Sequence, residues 1–153
     1  MQTVRWSEDM ALGVPAMDRA HRALLGQIER LDAAPDEQFA AAYLDLIDTL
    51  EQDFREEEGL MEKIRFPGRR QHAEQHARVM AGLRYAESDV LQGETAAGRD
   101  VVRFLPRWFL GHLSSMDLAL AVGLEMSGTH HAPPPDVLLR TELSRQLKLN
   151  MLE

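Results

Sequence analysis

Apolar side chains recur every three or four residues along most of this chain, and no stretch shows the strict alternation of a half-buried strand. Met17, His21, Leu24, Leu25, Ile28 and Leu31 form the first such stripe, which closes at the Asp32-Ala33-Ala34-Pro35 break. A second helix is predicted over about 36–64, with Phe39, Tyr43, Leu46, Ile47, Leu50, Phe54, Glu57 and Met61 on one face and Phe66-Pro67-Gly68 as its stop. The third, over about 68–91, carries His72, His76, Val79, Met80 and Leu83. After the turn Gln92-Gly93-Glu94 a fourth pattern runs to about Met126. Short connections favour antiparallel neighbours, so the expected fold is all-α, an up-down-up-down four-helix bundle. Pro106 falls inside the fourth pattern, where it removes a backbone hydrogen bond and either kinks the helix or marks its true start.

Past Ser127-Gly128 the pattern changes. Thr129-His130-His131-Ala132-Pro133-Pro134-Pro135 reads as a stiff, polyproline-like linker with its two histidines exposed, and 136–150, with Leu138, Leu139, Leu143 and Leu147, as a short amphipathic helix. The expected organisation is a bundle over 1–127 and an extension over 128–153. The leucines of the extension are expected to pack on their own bundle or on a second chain, as in a homodimer or a partner complex.

The 153 residues suit one domain with a single core. A net charge of −8, from 25 acidic against 17 basic residues, argues against a nucleic-acid or anionic-membrane surface, because phosphates are neutralised by clustered Lys and Arg. The absence of cysteine excludes disulfides, thiolate metal sites and thiol nucleophiles. The first residues, Met1 to Asp9, lack the apolar core of a secretion signal, and no run approaches the ~20 apolar residues of a membrane span; the expected location is the cytoplasm.

Metal-ligand residue types recur on the helical stripes. His72 and His76 are four apart, as are Asp53 and Glu57, so each pair shares a helix face. From His76 the third helix climbs about 15 residues, roughly 22 Å, to the turn, and the fourth descends about 14 residues, roughly 21 Å, to His112; the two histidines return to one level. Glu57 and His72 lie at comparable distances on either side of the Phe66-Pro67 turn. His21 and Asp53 match less closely, with an offset of ~7 Å for the loop to absorb. His112 and Asp117 are five apart, about 140° around an α-helix, which predicts that they serve two separate ions or act as one ligand and one bridge. An isolated histidine pair or acidic run is commonly a solvated face. Here four of the six histidines fall on apolar stripes at matching levels, and burying so many polar groups without a metal is costly.

These residues carry a resemblance. Asp18-Arg19-Ala20-His21, Asp53-Phe54-Arg55-Glu56-Glu57-Glu58-Gly59-Leu60-Met61, the His72/His76 pair, and Trp108 with His112 and Asp117 match in order and spacing the pattern of the hemerythrin family, including its single-domain bacterial members, over about Trp6 to Leu124. The resemblance implies two non-haem iron ions, oxo- or hydroxo-bridged. His72, His76 and His112 would hold one, His21 the other, and Glu57 and Asp117 would bridge. One ligand departs from the pattern: Asp53 stands where the family places a second histidine on the oxygen-binding iron. Ferritin-like di-iron proteins use Glu-x-x-His motifs, and no histidine here has a glutamate three residues before it.

The implied activity is reversible dioxygen binding, for buffering or delivery, by a binding protein rather than a catalyst. Trp108, Phe54, Leu24, Leu25 and Met116 are the candidates to line a dry pocket. The altered ligand keeps a di-iron redox enzyme or oxygen sensor in view, and the C-terminal leucines a helical interaction module with a vestigial site.

Overall fold

A computed structural model describes residues 4–128. Among them the ordered elements are helical: a short 3-10 turn at Glu8–Met10, then α1 (Pro15–Asp32), α2 (Asp36–Lys63), α3 (Arg69–Leu91), α4 (Ala96–His112), a π-helical turn (Leu113–Asp117) and α5 (Leu118–Met126). The last three elements follow one another without a break, so four rods make the bundle. Residues 129–153, and with them the expected linker, amphipathic segment and partner surface, lie outside the described residues. No described helix is long and apolar enough to cross a membrane.

Each boundary has a local cause. Pro15 opens α1, where its missing N–H has no intrahelical partner to lose. At the end of α3, Gly93 takes φ +87°, its amide donates to the Val90 carbonyl, and that of Glu94 donates to Asp89, an arrangement that satisfies carbonyls of the last turn. The end of α2 uses the same geometry without glycine: Arg65 sits at φ 52°, and the amides of Arg65 and Phe66 donate to Glu62 and Met61. The turn after α1 is held from across the bundle. Arg99 on α4 donates to the carbonyls of Asp32 and Ala34 and to the Asp36 carboxylate, and its guanidinium lies 4.4 Å above the Phe39 ring.

The core runs the length of the four rods. Phe39, Tyr43, Leu46 and Ile47 of α2 meet Leu83 and Val90 of α3 and Val102 and Leu105 of α4, and the buried Tyr43 hydroxyl donates to the Leu83 carbonyl at 2.7 Å. Pro106 neither starts nor ends its helix; α4 begins ten residues earlier at Ala96 and continues through it. The apolar filling gives way at one end of the bundle, where α1 begins, α2 ends, α3 begins and α4 ends. There, among the described residues, the buried polar side chains are His21, Glu57, His72, His76, His112 and Asp117.

Candidate metal centre

Five of these side chains, Glu57, His72, His76, His112 and Asp117, bring ligand atoms to within 4.8 Å of one another. The helical spacing of four sets His72 above His76, and the hairpin of α2 and α3 brings Glu57 opposite, its Oε1 3.8 Å from Nε2 of both. Nε2 of His72 and Nε2 of His112 each lie 3.1 Å from Asp117 Oδ1, while His21 Nε2 lies 3.2 Å from the other oxygen, Oδ2. Asp117 therefore faces two histidine groups at once, one with each oxygen.

The way Asp117 arrives there corrects the angular expectation. In a regular α-helix it would point about 140° away from His112. The chain instead forms a π-helical turn over Leu113–Asp117, whose i→i+5 bonding stacks residues five apart on one face. Ser115 supports the widened turn by donating to the Gly111 carbonyl at 2.6 Å, and Ser114 does so to Leu110 at 2.8 Å. Both functional groups thus converge on the same face, His112 Nε2 3.1 Å from Asp117 Oδ1.

The interior contacts are close but do not form hydrogen bonds with good directions. Both Asp117 oxygens, both ring nitrogens of His72, His21 Nδ1 and Asp53 Oδ2 are buried without a hydrogen-bond partner. The outer nitrogens explain more. His76 Nδ1 lies 3.3 Å from Glu58 Oε2, and His112 Nδ1 2.9 Å from Gln75 Oε1. A carboxylate and an amide oxygen only accept, so both Nδ1 atoms carry the proton and both Nε2 atoms present a lone pair inward. Those two Nε2 atoms stand 3.1 Å apart. Two lone pairs facing each other at that distance repel unless a cation lies between them. The donors present, three imidazole nitrogens and two carboxylates aimed at one buried centre, fit a borderline divalent metal ion.

Electrostatics point the same way. Burial, reinforced by the negative charge of Asp117, raises the Glu57 carboxyl well above its ordinary range. Burial also opposes the charge of Asp117, but the close approach of His112, His21 and His72 outweighs it and holds that carboxyl well below the usual carboxylate range. Without metal, a proton on the facing pair therefore favours Glu57 over Asp117. Burial, with His72 and His112 adding to it, pushes the His76 imidazole down to about 3, so its ring is neutral and ready to coordinate.

A cavity of about 40 Å³ lies beside the cluster, bounded on its polar side by His21, Asp53, Glu57, His112 and Asp117. A water needs ~10–15 Å³ by the same measure, so the space accepts a diatomic molecule. Asp53 is half-buried on this wall, its carboxyl pushed up to about 6 by burial and by the charge of Glu56, against the opposing effect of His21. The ~7 Å offset expected between His21 and Asp53 has closed enough for both to share the cavity. Of the apolar candidates, Leu24 and Phe54 line it, joined by Met17, Leu60 and Phe109, while Trp108, Leu25 and Met116 do not. Trp108 stacks instead on the His112 ring at 4.7 Å, as Phe54 does on His76 at 3.8 Å, and Phe109 meets His21 edge-on at 5.2 Å. Gln75 and Glu58 have no signal in the ligand spacing; only their position beside His76 and Glu57 could have suggested them.

A helical bundle that gathers buried histidines and carboxylates from all four rods at one end of its core defines a class of metal-binding bundle proteins. The chain belongs to the hemerythrin family: the model of the hemerythrin HHE cation binding domain matches residues 12–121. Consistent with this, it is 32% identical to Bacteriohemerythrin of Ralstonia nicotianae over 128 residues, covering 84% of this chain and 93% of that protein. No solved structure matches it.

Proposed function

We propose that this protein holds two iron ions and binds dioxygen reversibly at one of them. The observation that carries the reading is the double-faced Asp117, with one oxygen toward His72 and His112 and the other toward His21, beside a cavity of diatomic size. His72, His76 and His112 would hold one iron, His21 and Asp53 the other, and Glu57 and Asp117 would bridge them. When bound, the ferrous pair supplies the electrons that dioxygen accepts reversibly. The chain's own part is to fix the imidazoles through Glu58 and Gln75, and to exclude water with Met17, Leu24, Phe54, Leu60 and Phe109.

The test is iron analysis of protein purified without added metal, followed by reduction and cycling between air and argon. At least one iron per chain as purified, two once ferrous iron is supplied, and a visible band that appears with air and fades under argon are expected. Absence of stoichiometric iron, or an irreversible band, refutes the proposal.

Asp53 favours a second reading, as a redox enzyme or an oxygen sensor. An aspartate in place of a neutral imidazole brings a negative charge to the cavity wall and favours ferric over ferrous iron. The air-exposed diferrous protein therefore oxidises faster than its Asp53→His variant; equal lifetimes of the two oxygenated forms rule out this effect of Asp53. The third possibility, an interaction module with a vestigial site, depends on residues 136–150 and predicts no bound iron; the convergent buried donors weigh against it.

A further inference from the structure

We propose that the two metal positions fill in order, so that the protein has a stable one-metal form and a second, exchangeable metal. This rests on the two-metal reading above, and is carried by the unequal construction of the two halves of the centre.

The half around Asp117 Oδ1 has three imidazoles and two carboxylates, all buried and within 4.8 Å. Two of its three rings are held from behind, His76 by Glu58 and His112 by Gln75 at their Nδ1 atoms, with Phe54 and Trp108 stacked on their faces, while His72 Nδ1 has no hydrogen-bond partner. The half around Asp117 Oδ2 has one imidazole, His21, whose Nδ1 has no hydrogen-bond partner. Its remaining donor of its own is Asp53, half-buried and also without a partner for Oδ2. The cavity touches both His21 and Asp53, and of the three imidazoles opposite it touches only His112. Outer contacts that orient a ligand are worth ~10–100-fold in metal affinity, and each imidazole replaced by carboxylate makes a site harder and less selective for iron over manganese. Fewer nitrogen donors, no support behind them and adjacent open space all weaken the same position. The first ion therefore settles among the three histidines, and the second is a divalent cation held by a mainly oxygen-donor set.

The experiment is titration of the metal-free full-length protein with Co²⁺, followed by visible absorption and calorimetry. Two resolved equivalents are expected, with dissociation constants separated by ~100-fold. Asp53→His tightens the second and leaves the first unchanged; Asp53→Asn, close to isosteric, weakens the second further and decides the matter should the histidine variant fail to fold. A single step taking up two equivalents in the wild type, or a second equivalent indifferent to both substitutions, overturns ordered filling while leaving the two-metal reading intact. No uptake of Co²⁺ overturns both.

Discussion

The proton that Glu57 holds beside Asp117 gives metal binding a measurable signature. In the metal-free fold Glu57 holds its proton far above the ordinary 4.5, because burial and the Asp117 charge both penalise ionisation. A metal requires the carboxylate, so the first equivalent must expel that proton. His76, neutral down to about pH 3, has none to give. Below its folded pKa Glu57 therefore contributes about one proton per chain, and metal affinity rises ~10-fold per pH unit there. Stability of the metal-free fold moves oppositely. A carboxyl whose pKa is raised by folding favours the fold fully below its unfolded value of 4.5, and that contribution is lost as pH rises through the folded pKa. The assay is calorimetry of metal binding in buffers of different ionisation enthalpy, where the slope of apparent heat against buffer enthalpy counts protons. Glu57→Gln should lower that count by about one and flatten the pH dependence of affinity. The same count in both proteins, with metal bound in both, refutes the assignment of the proton to Glu57.

Other expectations concern the scaffold. Alanine at Gly98 places a methyl 2.5 Å from Val90 and 2.9 Å from Phe39, so overpacking of ~1–3 kcal/mol outweighs the ~1 kcal/mol gain in helix propensity. At Gly82 of α3 the same methyl meets nothing within 4 Å, and the substitution should stabilise by up to ~1 kcal/mol; denaturant midpoints that move in the same direction for both variants contradict this. Arg65→Gly should raise the melting temperature, because the left-handed backbone at φ 52° costs a non-glycine residue ~1 kcal/mol, equal to ~2–4 °C in a chain of this size. An unchanged or lower melting temperature shows that the arginine side chain offsets the strain.

Periodicity alone placed the four rods to within a few residues, because which face of a helix is apolar depends only on local spacing and the stops at Pro35, Pro67-Gly68 and Gly93 are backbone chemistry carried by single residues. The same spacing brought His72 over His76 and matched the levels of His76 and His112, since the rise per residue is constant wherever the helix is regular. It failed where the helix is not regular. Nothing in Leu113-Ser114-Ser115-Met116-Asp117 announces a π-helical turn, which makes poorer use of the backbone unless packing on both sides favours it; only the folded bundle, seating His112 and Leu118 in one core, turns Asp117 inward. Tertiary structure likewise decided which aromatic does what. Trp108 and Phe109 are adjacent in the chain, yet a step of about 100° puts the first against the His112 ring and the second on the cavity wall beside His21. Gln75 and Glu58, which fix the ligand tautomers from behind, are invisible to any ligand motif, because their contacts cross between helices. Sequence determined which side chains could bind a metal; contacts between the packed rods determined which way the lone pairs of His76 and His112 point.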